Sequence, residues 1–194
     1  PPIDAVLLSH NHYDHLDVKT LRNLAKTHSP AIYCGLGITA YLEEKKIEGG
    51  VDLDWGDEVD LSDSVRLTFL PCQHWSNRGT CDRFGTLWGA YAISGSGGNV
   101  YFAGDTGMDG HFQEAADRFG SFRLAILPIG AYLPRWFMAP AHMSPAEAVQ
   151  AHHILQAAYS IPIHYGTFQI ADDGYDQPLR ELRKVRRRIV PMPA

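Results

Sequence analysis

The sequence predicts a layered domain of the α/β or α+β class. Short apolar runs alternate with helix-like stretches, as expected when helices cover a sheet. Residues 95–99, Gly-Ser-Gly-Gly-Asn, form a hairpin-type turn between two apolar runs and so predict an antiparallel pair as well. A chain of 194 residues with 45% hydrophobic and 20% charged residues is too apolar for disorder. We expect one domain, residues 1–194.

The first elements are predicted from apolar runs and a capping residue. Residues 5–8, Ala-Val-Leu-Leu, read as a buried strand. Asp17 can cap a following helix that ends near residues 28–30, His-Ser-Pro. A second short strand is expected at 31–34 and a second helix at 37–46.

The middle of the chain predicts mostly strands. Apolar and polar residues alternate over 65–70, and the runs 87–93 and 100–103 flank the hairpin turn. A short helix is expected over 111–118, followed by an aliphatic strand over 124–127.

Two helices and one strand are expected in the last third. Ser144 and Glu147 have the spacing of a capping box, which predicts a helix from there to about residue 158. A short strand follows at 161–163, and a basic helix is expected over 177–188.

The segment after the first strand carries the clearest chemical signal. Four side chains of metal-ligand type fall within six residues: His10, His12, Asp14 and His15. Three more such side chains each follow a later predicted strand: His74, Asp105 and His164. A single histidine after a strand is more often a hydrogen-bonded residue than a ligand, but four crowded together would carry unpaired polar groups without an ion. The set therefore predicts a metal site.

Composition restricts the partners and the compartment that we expect. The net charge of −5 argues against a nucleic-acid partner. Three cysteines with no Cys-x-x-Cys pair indicate reduced, buried thiols, and neither a secretory signal nor a transmembrane run is evident. We therefore expect a cytoplasmic protein, and a homodimer stays open.

Several blocks resemble the metallo-β-lactamase superfamily, and within it the family of N-acylphosphatidylethanolamine-hydrolysing phospholipase D and its bacterial relatives. The blocks are residues 8–17, 73–75, 87–89, 102–107, 128–132, 134–138 and 164–168. This resemblance implies an αββα sandwich. The family begins with several strands before its His-x-His-x-Asp-His segment, so we expect a domain that lacks its first β-strands.

The resemblance also implies a ligand set and a reaction. One metal ion would take His10, His12 and His74, a second would take Asp14, His15 and His164, and Asp105 would bridge them. Two zinc ions are expected, with iron or manganese as alternatives, and a shared hydroxide would attack the substrate. A phosphodiesterase of the phospholipase D type, acting on a phospholipid or another small molecule, is the favoured activity.

Secondary roles and other functions stay open at this stage. Asp14 can orient the nucleophile, Tyr13 can contact a substrate phosphate, and His142 is a further catalytic candidate. Arg135 can bind a phosphate, stack on Trp136 or pair with an acid. A lactonase of the sugar-phosphate type would use the same metal ions on a carbonyl, and a non-catalytic metal-stabilised binding module is a third possibility. The basic run within 180–188 is a solvated face or a contact to the inner membrane surface.

Overall fold

The computed structural model describes residues 1–189 and begins with a small parallel sheet. Strands β1 (Ala5–Leu7), β2 (Ala31–Gly35) and β3 (Gly50–Leu53) pair in that order. Helices α1 (Val18–His28) and α2 (Ile38–Glu44) connect them, as parallel neighbours require a crossover. Asp17 caps α1 by accepting a hydrogen bond from the Thr20 amide, as expected.

A larger sheet of six strands follows in strict chain order. The first four strands pair antiparallel and the last two add in parallel: β4 (Glu58–Ser62), β5 (Val65–Leu70), β6 (Ala90–Gly95), β7 (Asn99–Phe102), β8 (Phe122–Pro128) and β9 (Tyr159–Ile163). The remaining helices are α3 (His111–Phe119), α4 (Arg135–Met138), α5 (Pro145–Ile154) and α6 (Gln177–Ile189).

Three apolar clusters define four layers. One packs α1 and α2 on the small sheet, with Leu16 and Ile38 fully buried. The second lies between the two sheets around Phe69 and Tyr91. The third packs α3 and α5 on the outer face of the large sheet around Phe112. The order is helices, sheet, sheet, helices, which confirms the predicted αββα class.

Tyr91 joins the two sheets by hydrogen bonds as well as by packing. Its side chain is fully buried on β6 of the large sheet. The Tyr91 hydroxyl lies 2.9 Å from the carbonyl oxygens of both Leu8 and Tyr33, on the small-sheet side. This contact ties down the chain just before His10.

The structure corrects several element boundaries. The strand predicted over 87–93 begins at Ala90, because the amides of Leu87 and Gly89 bond to loop carbonyls before the sheet register starts. The helix predicted to residue 158 ends at Ile154, and the chain turns at Gln156 with a φ of 47°. Strands β3 and β4 and the single-turn helix α4 are additional to the predicted elements. Each is only four or five residues long, and although Val59 and Leu61 alternate with polar residues in β4, no side chain of β4 is fully buried. Of the three cysteines, Cys81 is exposed rather than buried.

The basic C-terminal helix is confirmed, and part of its charge is neutralised along its own face. Arg180 pairs with Asp176 and Lys184 with Glu181. The side chains of Arg187 and Arg188 lie outside the described part of the chain. Within residues 1–189, no helix is both long and apolar enough to cross a membrane.

Candidate metal centre

The His-x-His-x-Asp-His segment leaves β1 and turns at once into the cap of α1. Amides of His15 and Leu16 both donate to the His12 carbonyl, at 3.1 and 2.9 Å, which closes a tight turn inside the segment. Leu16 is fully buried under α1 and anchors the end of this turn. The four ligand-type side chains of the segment are therefore held on a short, well-anchored loop at the end of the small sheet.

One group of side chains consists of three imidazoles. Nε2 of His10 lies 2.8 Å from Nδ1 of His12, and Nε2 of His74 lies 3.3 Å from the same Nδ1. His74 arrives from the loop after β5, so the two sheets contribute to one group. Three ring nitrogens facing one another are the donor set that a tetrahedral zinc site uses.

A second group combines two carboxylates with two imidazoles. Oδ2 of Asp105 lies 3.1 Å from Nε2 of His15 and 3.0 Å from Nε2 of His164. Oδ2 of Asp14 lies 3.3 and 3.2 Å from the same two nitrogens. Asp105 follows β7 and His164 follows β9, so the strand order of the large sheet places them at one edge.

The two groups share an edge at Asp105. Its Oδ2 also lies 4.0 Å from Nε2 of His74, a member of the first group. All seven side chains singled out in the sequence thus converge, in the two sets expected from the resemblance.

The donor set fits bound cations. Burial lowers the pKa of His10 well below its ordinary value, and it lowers the pKa of His74 to about 3. These imidazoles are therefore neutral at pH 7, and each has one nitrogen lone pair with which it can bind a cation. Within the described residues, Oδ1 of the buried Asp105 also has no hydrogen-bond partner. A divalent cation would satisfy these groups, which are costly to bury unpaired.

Contacts behind the imidazoles set which nitrogen can face a metal ion. Nδ1 of His74 lies 3.0 Å from the Ala141 carbonyl, which can only accept, so Nδ1 carries the proton and Nε2 is bare. Nδ1 of His10 lies 3.0 Å from the hydroxyl of Ser9, which leaves Nε2 of His10 directed at the site.

The second group has the opposite electrostatics. Burial alone would lower the pKa of His15 and of His164, but contacts with Asp105 and Asp14 outweigh it and raise these values to about 9 and about 10. The pKa of Asp105 falls well below its ordinary value although burial opposes this, because His164 and His15 stabilise the carboxylate. A divalent cation could replace the two protons, because it would pair with the same two carboxylates and take up the nitrogen lone pairs that the protons occupy.

Tyr13 and His142 lie beside the two groups. His142 is buried, its ring stacks on His164 at 5.5 Å, and its Nδ1 lies 3.8 Å from Oδ2 of Asp105. Burial lowers the pKa of His142 to about 4, so the ring is neutral at pH 7. Tyr13 is 71% exposed, and its ring covers the guanidinium of Arg78 at 4.1 Å.

Arg135 is engaged within the protein. Nη2 donates to both carboxylate oxygens of Glu147, at 2.9 and 2.8 Å, and Nη1 donates to the His142 carbonyl at 2.9 Å. Of the roles left open by the sequence, these contacts favour pairing with an acid over binding a substrate phosphate, because the binding donors are already used.

Arg78 is a site residue that the sequence analysis did not single out. Its Nη1 donates to the Asn11 carbonyl at 2.9 Å, and its Nε donates to the Tyr41 hydroxyl at 2.8 Å. Arg78 therefore holds the ligand segment through the Asn11 carbonyl, while its guanidinium lies against the face of the Tyr13 ring. It lies in a loop without periodicity, and an isolated arginine in a loop gives no signal of such a contact.

A cleft of about 230 Å³ opens beside the second group. Asp14, His15 and His164 form one wall, and the segment 165–175 forms the other. Apolar side chains dominate that segment: Phe168, Ile170 and Tyr175 are 63%, 54% and 68% exposed. The cleft can accept an apolar group next to the candidate metal ligands.

The sequence and the fold both have recognisable relatives. Residues 1–165 match the family described as "Beta-lactamase superfamily domain". The chain is 36% identical over 186 residues to "N-acyl-phosphatidylethanolamine-hydrolyzing phospholipase D 1" of Caenorhabditis elegans, covering 90% of this chain and 52% of that protein. It is 30% identical over 188 residues to "N-acyl-phosphatidylethanolamine-hydrolyzing phospholipase D, mitochondrial" of Saccharomyces cerevisiae, covering 94% and 40%.

A solved structure supports the fold. Igni18, described as a metallo hydrolase from the archaeon Ignicoccus hospitalis, superposes with a TM-score of 0.71 at 21% identity, covering 94% of this chain and 72% of that one. The chain spans about half or less of the length of the two phospholipase D relatives. A further relative, 28% identical over 185 residues and covering 94% of this chain and 75% of that protein, is named "UPF0173 metal-dependent hydrolase MK1542" of Methanopyrus kandleri. The chain belongs to the metallo-β-lactamase superfamily.

Proposed function

We propose that this chain carries the dinuclear zinc centre of a phosphodiesterase of the phospholipase D type, acting on N-acylphosphatidylethanolamine or a related phosphodiester. The observation that carries the proposal is the convergence of seven donor side chains in two groups that meet at Oδ2 of Asp105. The names of the two phospholipase D relatives support the substrate class.

Seven of the residues at the site would bind two metal ions. One ion would be held by His10, His12 and His74, the other by Asp14, His15 and His164, with Asp105 between them. Divalent ions held by these residues would lower the pKa of a bound water toward neutrality and would offset the negative charge of phosphodiester oxygens. Nitrogen and carboxylate donors suit zinc, and iron or manganese would also bind them.

In the proposed reaction, an oxygen from water bonds to phosphorus. The bond between phosphorus and the N-acylethanolamine oxygen breaks, and that oxygen leaves as an alcohol after taking a proton. Asp14, whose Oδ2 faces His15 and His164, would orient the water. His142, neutral and beside Asp105, would hydrogen-bond a substrate oxygen, and the Tyr13 hydroxyl would contact the phosphate at the mouth of the site.

Exposed aromatic side chains next to the centre support a lipid substrate. Trp136 and Phe137 of α4 are 83% and 66% exposed. The Asp172 amide donates to the Leu133 carbonyl at 3.1 Å, so the segment with Phe168 and Ile170 lies against the chain that enters α4. We propose that these side chains rest on a membrane surface while the site takes up a phospholipid.

The test compares metal, substrate and ligand variants in the whole protein that contains this chain. The zinc-loaded protein should hydrolyse N-acylphosphatidylethanolamine in mixed micelles and bis-nitrophenyl phosphate. His10→Ala and Asp105→Ala should each lose at least about 100-fold in rate, since both remove a donor. His28→Ala, at the far end of α1, is the matched control.

Three results would contradict the proposal. Full activity in either ligand variant would exclude the metal mechanism. Turnover of a lactone panel without turnover of phosphodiesters would indicate a lactonase instead. Zinc binding and vesicle binding without any turnover would indicate a binding module.

A further inference from the structure

One loop contacts both groups of the candidate metal centre without supplying an expected ligand. Residues 139–143, here called the His142 loop, present the Ala141 carbonyl to Nδ1 of His74 at 3.0 Å. The same loop stacks the His142 ring on His164, with the ring planes 17° apart. The position of this loop therefore bears on the orientation of His74 in one group and on the packing of His164 in the other.

The His142 loop is held from outside by a charged clamp. Nη1 of Arg135 donates to the His142 carbonyl at 2.9 Å and to the Tyr132 carbonyl at 3.3 Å. Nη2 forks onto both oxygens of Glu147, at 2.9 and 2.8 Å. Oε2 of Glu147 in turn accepts from the amide and the hydroxyl of Ser144, at 2.7 and 2.9 Å. The clamp thus joins α4, which precedes the loop, to the His142 carbonyl near the other end of the loop and to the first turn of α5.

The contacts of the clamp fix the orientation of the Arg135 side chain and leave its guanidinium engaged within the protein rather than directed at an external anion. The planar guanidinium of Arg135 uses Nη2 for Glu147 and Nη1 for the His142 carbonyl, so partners in two directions fix its orientation as well as its position. The Arg135 and Glu147 side chains are 33% and 27% exposed, so solvent reaches the pair only in part. A lysine could keep the charge, but its single ammonium nitrogen would not reach Glu147 and the His142 carbonyl from two separate donor positions.

We propose that Arg135 is a positioning residue for the metal centre, acting through the His142 loop. By holding the loop, Arg135 keeps the Ala141 carbonyl against Nδ1 of His74. That contact keeps the proton on Nδ1 and leaves Nε2 of His74 bare and directed at His12 and Asp105. The inference rests on the proposed metal site, but it assigns Arg135 no contact with the substrate.

The experiment measures zinc affinity of the whole protein by chelator competition, separately for the two bound equivalents. Arg135→Gln should weaken the affinity for the zinc ion held by His10, His12 and His74 about 10–100-fold. This is the usual effect of losing a group that orients a metal ligand. The equivalent bound at the second group should weaken less, because the loop meets that group by ring stacking on His164 and not by a hydrogen bond to a ligand nitrogen. Arg135→Lys should fall between Arg135→Gln and the wild type. Arg118→Gln, which breaks a surface pair with Glu58 of the same 2.8 Å length, should leave both unchanged.

A second readout reports on His74 itself. In the metal-free protein, the nitrogen chemical shifts of the His74 ring should show the Nδ1–H tautomer, and Arg135→Gln should reduce its population. Glu147→Gln keeps the shape of the clamp and loses its charge, so it serves as the second variant if Arg135→Gln does not fold. It should weaken the same zinc equivalent in the same direction.

The outcomes separate this proposal from the proposed function. If the wild type binds two zinc ions but hydrolyses no phosphodiester, the proposed function is wrong and the affinity comparison still decides the role of Arg135. Equal zinc affinities and an unchanged His74 tautomer in Arg135→Gln and Glu147→Gln would overturn the positioning role. If Arg135→Gln and Arg118→Gln both weaken the two zinc affinities equally, Arg135 contributes only to the general stability of the protein. If the wild type binds no zinc, the positioning role is wrong, because there is no metal centre to position.

Discussion

Oδ2 of Asp105 lies 3.0 Å from Nε2 of His164, although the two residues follow different strands of the large sheet. β8 separates β7 from β9, and both flanking strands run parallel to it. Their carboxyl ends therefore meet at one edge. The same oxygen is 4.0 Å from His74, so one carboxylate connects the two groups of donors.

Asp105→Asn should weaken binding of both metal ions, because Oδ2 of Asp105 faces both groups of donors. The change removes the charge that faces His15 and His164 while keeping the size of the side chain. We expect zinc content to fall from two equivalents to one or fewer, and the rate to fall at least about 100-fold. Elemental analysis after gel filtration checks the first expectation. Two retained equivalents with normal affinity would show that Asp105 does not bridge the ions.

The two groups should differ in how their zinc affinity depends on pH. The pKa values of His15 and His164, about 9 and about 10, mean that both hold protons at pH 7 and must lose them to bind a metal ion. Affinity at that group should rise with pH between 6 and 9. His74, with a pKa of about 3, is already neutral, so the first group should change little.

Calorimetry in buffers of different ionisation enthalpy measures this difference. About two protons should be released at pH 7 for the zinc ion bound at the second group. Few or none should accompany the ion bound at the first group. Equal proton release for both ions would contradict the assignment of the groups.

Two equally buried tyrosines, Tyr91 and Tyr101, allow the contribution of the Tyr91 hydrogen bonds to the free energy of unfolding to be measured. The Tyr91 hydroxyl contacts the carbonyls of Leu8 and Tyr33, whereas the hydroxyl of the equally buried Tyr101 has no partner among the described residues. Tyr91→Phe should lower the free energy of unfolding by about 1–3 kcal/mol, since it leaves buried carbonyls with fewer partners. Tyr101→Phe should be neutral or stabilising. Urea unfolding measures both, and equal losses would contradict the cross-sheet role of Tyr91.

The exposed aromatic side chains of α4 should matter for vesicle binding. Trp136→Ala should weaken binding to phospholipid vesicles about tenfold or more, because a large aromatic ring would lose its burial in the interface. Vesicle sedimentation measures this affinity. Tyr159→Ser, at a side chain that is 71% exposed on the edge strand β9, is the control. A membrane contact at α4 would be contradicted if the two changes weakened vesicle binding equally or if neither change weakened it.

The elements with strong local signals could be predicted from the sequence. The Asp17 cap, the Ser144–Glu147 capping box and the hairpin before Asn99 depend on neighbours along the chain, and the structure contains all of them. The strands β3 and β4 have weak local signals, because each is only four or five residues long and half or more of its side chains are exposed. The early end of α5 is set by the turn into β9 rather than by helix propensity.

The sequence by itself determined which side chains are available at the candidate site, because each ligand type directly follows an apolar strand. The family resemblance implied how they group, but only the tertiary structure gave the distances within and between the groups. The distance between Asp105 and His74 depends on sheet order, and the orientation of His74 depends on a carbonyl in a distant loop. Arg135 shows the same limit: its residue type left phosphate binding, stacking on Trp136 and pairing with an acid open, and its contacts with Glu147 and the His142 carbonyl arise from packing between α4 and α5. Local patterns record residue types and spacing, whereas long-range contacts follow from how the layers pack.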